Sequence, residues 1–156
     1  MIVDELTEKI IGCAFRVFNK MRFGYNEKVY ENCMMIELRK TGVKAEAQKA
    51  ITVYYEGEVV GEFAADILVE DEVIVELKSV LQLAKAHEAQ LVNYLTATGK
   101  PTGLLLNFGE RKVEVRRKFK DHKPRGSWLS SLLGFSLALL NPVFILSILF
   151  ILSKIS

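Results

Sequence analysis

Asp66, Glu76 and Lys78 are the residues whose types and spacing best suit chemistry. They sit on two short apolar runs, Ala64-Ala65-Asp66-Ile67-Leu68-Val69 and Val73-Ile74-Val75-Glu76-Leu77-Lys78, joined by the acidic turn Glu70-Asp71-Glu72. Strand side chains alternate faces, so Glu76 and Lys78 share one face and Leu77 takes the other. A three-residue connection places Asp66 opposite Glu76 and on its face; a two-residue connection puts it out of phase unless a bulge intervenes. In the first register two carboxylates and an ammonium converge. Two carboxylates about 4 Å apart repel by about 4 kcal/mol at an effective dielectric of about 20. A lysine relieves part of that, and a divalent cation such as Mg²⁺, which prefers hard oxygen ligands, relieves more. The bland counterpart is a sheet surface with a Glu–Lys cross-strand ion pair.

Two further segments carry chemistry-bearing side chains. Gly24-Tyr25-Asn26-Glu27-Lys28-Val29-Tyr30 reads G-x-x-E-x-x-Y at a loop-to-helix junction. The helix dipole alone favours Glu27 in a first turn. Tyr30, three residues on, shares its face, with a core ring and a hydroxyl placed to steer that carboxylate. Gly24 supplies a backbone turn. Later, His87, Gln90 and Tyr94 recur at i, i+3 and i+7 on one helical face, while Leu91 and Leu95 occupy a neighbouring face suited to packing on a sheet. The polar stripe suits either a hydrogen-bonded helix–sheet interface or the edge of a site. His87 reads as structural.

Taken in order, G-x-x-E-x-x-Y, D-x9-ExK and Q-x-x-x-Y resemble the GxxExxY family, which is grouped with the PD-(D/E)XK phosphodiesterase superfamily. The resemblance runs from Leu6 to Phe119. It implies a restriction-endonuclease-like core and metal-dependent hydrolysis of phosphodiesters in nucleic acid, DNA or RNA. On that resemblance, Asp66 and Glu76 hold Mg²⁺ or Mn²⁺, with the Leu77 carbonyl as a backbone ligand and Glu27 as a direct or water-bridged one. Lys78 positions the attacking water or stabilises charge on the phosphate, and Gln90 and Tyr94 contact substrate or orient the acids. A non-catalytic module that binds nucleic acid or a protein on the same scaffold would carry the same acids. No helix-turn-helix, zinc finger or aromatic nucleic-acid platform is recognisable.

These residues need a scaffold, and the pattern gives a coarse α-β-β-β-α-β-β order, with two helices in the first α segment. The fold class is α/β (α+β): a mixed sheet of about five strands flanked by helices. Leu6, Ile10, Val17 and Met21 fall near one face of a helix from Asp4 to Met21. Asn26 caps a second helix to Lys40, with Gly42 beyond its end. Strands are expected over Ile51–Tyr55, from Ala64 to Val69, and over Val73–Lys78, Gly103–Phe108 and Lys112–Arg117. A helix from Lys85 to Thr98 ends at Gly99 and Pro101.

Half of the 156 residues are hydrophobic, which is enough for one domain with a real core. Cys13 and Cys33 form no CxxC pattern, so a reduced, cytoplasmic protein is the simpler reading. The first twenty residues carry charges throughout, unlike a signal peptide. The net charge of +2 implies no partner. Its distribution is uneven: Arg111 to Arg125 carries a local excess of six positive charges. That run suits a phosphate backbone, a lysine-rich edge strand or a membrane-flanking segment. Residues 1–122 are thus expected as the folded domain, 123–127 as a basic linker and 128–156 as a hydrophobic helical tail. From Trp128 to Ser153 no residue is charged, a length sufficient to span a bilayer. The positive-inside rule would then keep the domain in the cytoplasm, anchored by 128–153. A translated extension of no function and a soluble hairpin packed on the domain are the alternatives for the tail.

Overall fold

The computed structural model describes residues 3–120. The basic linker and the hydrophobic tail expected after residue 122 lie outside the described residues. Among the described residues no helix is long and apolar enough to cross a membrane.

Helix α1 spans Val3–Met21 and buries Leu6, Ile10, Cys13, Ala14 and Val17, the 3.6-residue stripe read from the sequence. Helix α2 spans Glu27–Lys40. Asn26 caps it, its side chain accepting from Val29 N at 3.2 Å. Gly42 follows its end with φ +74°, a conformation that costs glycine little. Helix α3 spans Lys85–Thr98 and closes on Gly99, whose left-handed backbone lets its N–H reach the Leu95 carbonyl at 3.0 Å.

Five strands, β1 (Ala45–Tyr55), β2 (Glu58–Val69), β3 (Val73–Lys78), β4 (Thr102–Phe108) and β5 (Val113–Phe119), form one sheet in chain order. All neighbours are antiparallel except β3 and β4, which run parallel around the α3 crossover. This is the expected mixed sheet, with helices on both faces. Val73, Val75 and Leu77 point to one side, into the core made with α1 and α2. Ile74 points to the other, packing with Leu91, Tyr94 and Leu95 of α3.

The first two strands are longer than the sequence suggested. β1 begins at Ala45 and β2 at Glu58. Ala-Glu-Ala-Gln-Lys-Ala has little intrinsic preference for a strand. It is extended because it pairs with the apolar half of β2, Ala45 with Val69 and Ala47 with Ile67.

Candidate active site

The sheet opens at Asp66. The β2–β3 ladder runs Val69 to Val73, Leu68 to Ile74 and Ile67 to Val75, then stops. Its next rung would join Asp66 to Glu76, the register of a three-residue connection. Glu70 and Asp71 make that connection with left-handed backbones, φ +51° and +57°. In place of a backbone acceptor on β2, the Leu77 N–H finds the Asp66 carboxylate, Oδ2 at 2.7 Å. The N–H and C=O of a strand residue point toward the same neighbouring strand. The Leu77 carbonyl therefore faces the same opening as the Asp66 side chain.

Alternation from Ile74 carries Glu76 and Lys78 to the α3 side of the sheet. Glu76 is 2% exposed. Its Oε1 accepts from Lys78 Nζ at 2.8 Å. Its Oε2 is, among the described residues, the buried side-chain polar atom without a hydrogen-bond partner. An orphaned carboxylate oxygen in a closed setting is costly, and such atoms call for a specific explanation.

The charges respond accordingly. Burial, and then repulsion from Asp66, push the Glu76 carboxyl up to about 7 against the opposing pull of Lys78. Burial also raises Asp66, although the Leu77 N–H and Lys78 resist. For Lys78 burial disfavours the ammonium, but Glu76, Asp66 and Glu27 outweigh it and hold the group above its ordinary value. Lys78 is thus a cation at neutral pH, suited to meeting negative charge and unsuited to accepting a proton.

Glu27 opens α2 and is exposed. Its charge bears on Asp66, Glu76 and Lys78 alike. Two contacts hold that end of α2 over the end of β3. Ser79 Oγ, just past Lys78, donates to the Tyr25 carbonyl at 2.7 Å. Tyr30 stacks on Phe108 with ring centroids 4.2 Å apart and donates its hydroxyl to the Arg22 carbonyl at 2.6 Å. The ring is core, as expected; the hydroxyl fixes the loop before α2 instead of steering Glu27. Gly24 in that loop has φ +122°, which confirms its backbone role. Glu27 does not complete a three-acid cluster. Among the described residues no three His, Cys, Asp or Glu side chains are close enough together to hold a metal ion.

Gln90 Nε2 donates to the Tyr94 hydroxyl at 2.9 Å. Tyr94 is buried on the α3 side, the side that carries Glu76, with Phe63 tilted against it at 6.0 Å. The pair shares the face of the acids without a hydrogen bond to them. His87 is spent at the helix start: its N–H donates to the Ala84 carbonyl at 3.1 Å, and its Nδ1 accepts from Ala84 N at 3.2 Å.

Some contributors carried no sequence signal. Asn107, opposite Lys78 in the β3–β4 register, is buried. Its Oδ1 accepts from Val80 N and its Nδ2 donates to Val80 O, both at 2.9 Å. This two-point clamp fixes the chain leaving the site. Glu31 and Gln48, near Asp66, are two more. The part of the basic run that lies on β5 is paired. Arg116 and Lys118 bind Glu88 of α3, Arg116 also binds Glu114, and Arg117 binds Asp4 at 2.8 Å. On β5, an edge strand, this suits the lysine-rich edge reading.

Two carboxylates, one of them with an unpartnered oxygen, and a carbonyl facing the opening make a hard-oxygen donor set. Mg²⁺ keeps several waters and takes one or two carboxylates, so the set suits it without a third acid.

The sequence pattern of the PD-(D/E)XK nuclease superfamily matches residues 4–118. The chain belongs to this superfamily. Among solved structures, the chain is similar to SSO0001, at 16% identity and TM-score 0.49, over 60% of this chain and 50% of that one. It is also similar to an alkaline exonuclease from Laribacter hongkongensis, at 13% identity and TM-score 0.42, over 76% of this chain and 68% of that one. The chain spans half the length of SSO0001. No curated protein matches it in sequence.

Proposed function

We propose that this PD-(D/E)XK protein is a GxxExxY-type, metal-dependent phosphodiesterase acting on nucleic acid. The observation that carries the reading is Glu76 Oε2, buried and unpartnered beside Asp66 and Lys78. A buried carboxyl oxygen left in that state is explained by a cation that completes it.

Asp66, Glu76 and the Leu77 carbonyl would hold Mg²⁺ or Mn²⁺, with Glu27 facing them from α2. When bound, such an ion supplies Lewis-acid polarisation of a phosphoryl oxygen. The chain does the rest. The Leu77 N–H holds the Asp66 carboxylate in one orientation. Glu76 keeps Lys78 charged and aimed, and the ammonium meets negative charge as it grows on the phosphate oxygens. Gln90 and Tyr94 line the α3 side, where their hydrogen bond fixes both side chains for substrate contact.

Calorimetric titration with Mn²⁺, and hydrolysis of single- and double-stranded DNA and RNA with Mg²⁺ or Mn²⁺, test this. Wild type should bind Mn²⁺ and cut at least one substrate, and Asp66→Ala should do neither. A wild type that binds nucleic acid tightly and hydrolyses none of it is instead a binding module. Residues 128–153 add a separate proposal, a membrane anchor for a cytoplasmic domain. Carbonate-resistant membrane association, lost on truncation after Gly126, supports it, and full-length protein soluble without detergent refutes it.

A further inference from the structure

Asp66 is the point at which two ladders lapse at once. The β2–β3 pairing stops just before it. On its other side, Ala47 pairs with Ile67 and Lys49 with Ala65, but the intervening Gln48 and Asp66 do not pair. The cause lies on β1. Gln48 has φ +52°, a left-handed backbone that residues with a Cβ adopt only when something holds them there.

What holds it is on α2. Gln48 Nε2 donates to Glu31 Oε2, and Lys28 Nζ donates to Glu31 Oε1. Glu31 is 2% exposed, rare for a glutamate unless it is paired. Both of its oxygens are engaged, one by the turn of helix that bears Glu27 and one by the strand that faces Asp66. Glu31 also lies close enough to Asp66 for its charge to oppose ionisation there. A buried carboxylate near another is costly. Its grip on Gln48 gives it a purpose: it interrupts the β1–β2 ladder at Asp66 without shifting its register.

We infer that Glu31 and Gln48 are positioning residues for the metal site, pinning β1 in a left-handed kink that frees Asp66 to turn its carboxylate onto the Leu77 N–H. The inference rests on the proposed metal role of Asp66, but its structural half does not. With β1 in regular extended form, the Gln48–Asp66 rung closes. Asp66 then loses its freedom at the opening, and the Leu77 N–H loses its carboxylate acceptor.

The test uses the full chain with Gln48→Val, which opposes a positive φ and removes the amide, and Gln48→Gly, which permits the φ but removes the amide. Lys49→Val, one residue on, is the control. The first readout is the amide proton shift of Leu77 in metal-free protein, which reports its hydrogen bond to Asp66. It should move upfield in Gln48→Val, move less in Gln48→Gly and stay in place in the control. The second is Mn²⁺ affinity, expected to fall roughly tenfold or more in Gln48→Val, the usual cost of losing a supporting residue at a metal site. If Gln48→Val does not fold, Glu31→Gln takes its place; it keeps an acceptor for Gln48 but loses the charge pairing with Lys28, and should shift the Leu77 amide by less. An unmoved Leu77 amide in a folded variant overturns the inference. A moved amide with no Mn²⁺ binding even in wild type upholds the positioning and overturns the metal reading instead.

Discussion

Replacing Glu76 by glutamine should stabilise the metal-free protein, and only above a particular pH. Glu76 is buried, half of its carboxylate has no partner, and its carboxyl sits at about 7 against an ordinary 4.5. A folded-state value raised above the unfolded one means that the folded chain holds the proton more tightly. Below about pH 4.5 the carboxyl is protonated in both states and costs nothing. Stability then declines as the pH rises to about 7, and the full penalty persists above that. At about 1.4 kcal/mol per pH unit, the gap is worth about 3 kcal/mol. Glutamine removes that penalty. The opposing pull of Lys78, 2.8 Å away, is already contained in the value of about 7. The net gain at pH 8 is therefore about 3 kcal/mol, and at pH 4 the variant should match wild type or fall slightly below it. Urea denaturation in chelator at pH 4, 6 and 8 measures this directly. Added Mg²⁺ or Mn²⁺ should reverse the order at pH 8, because only wild type gains from binding. A Glu76→Gln protein less stable than wild type at pH 8 in chelator, or a difference that does not vary with pH, refutes the reasoning.

Lys78→Ala should lower phosphodiester hydrolysis by roughly 10²–10³-fold, the range for one charge-stabilising group. Its Mn²⁺ affinity should be nearly unchanged, since an ammonium is not a ligand, and the two are read by steady-state kinetics and calorimetry. Lys40, Arg16, and Lys20 hold the Glu37 carboxyl down at about 2, so its contribution is present above about pH 4.5 and lost as the pH falls towards 2. Glu37→Gln should accordingly flatten the acid limb of a urea-midpoint profile between pH 5 and 2 while leaving a constant offset above it. A Cβ at Gly103 would lie 2.7 Å from Leu91 Cδ1, in the fully buried seam between β4 and α3. Gly103→Ala should cost about 1–3 kcal/mol in thermal or chemical denaturation, as overpacking does.

Much of the site was legible because short-range rules governed it. Strand alternation placed Glu76 and Lys78, and the length of the acidic turn set Asp66 across from Glu76; the structure has that turn's three residues between Val69 and Val73, but alternation breaks at Asp66, where Ala65 packs with α3 and Ile67 with α1 and α2. Asn26, Gly42 and Gly99 marked helix ends through backbone chemistry that does not depend on distant contacts. What stayed hidden depended on tertiary contact. Nothing in Ala45–Ala50 favours a strand until β2 is beside it. Glu31 reads as one more solvated acid on a charged helix, and becomes a buried one only when Gln48 docks against it. The Tyr30 hydroxyl donates to the Arg22 carbonyl because the loop before α2 folds back onto it, a contact that helical spacing does not reveal.

The two kinds of residue have different physical tasks. An intact antiparallel ladder uses its backbone groups in pairs and leaves none for a carboxylate. An acid can accept from a strand N–H, and share an opening with that strand's carbonyl, only where the ladder has been interrupted. Interruption costs stability, so it has to be enforced from outside the strands involved. Here the enforcing groups stand on either side of the opening: Gln48 and Glu31 against β2, and Asn107 with Ser79 against the end of β3. The well-filled cores on the two faces of the sheet, one under α1 and α2 and one under α3, can tolerate that local loss. Sequence patterns report the acids because chemistry restricts them to few residue types. The enforcing residues are restricted only by geometry, and a glutamine at φ +52° beside a buried glutamate is one of several ways to meet it. A variant that rebuilds the same kink by other means, glycine at position 48 with its amide partner restored elsewhere, should therefore keep the Leu77–Asp66 hydrogen bond.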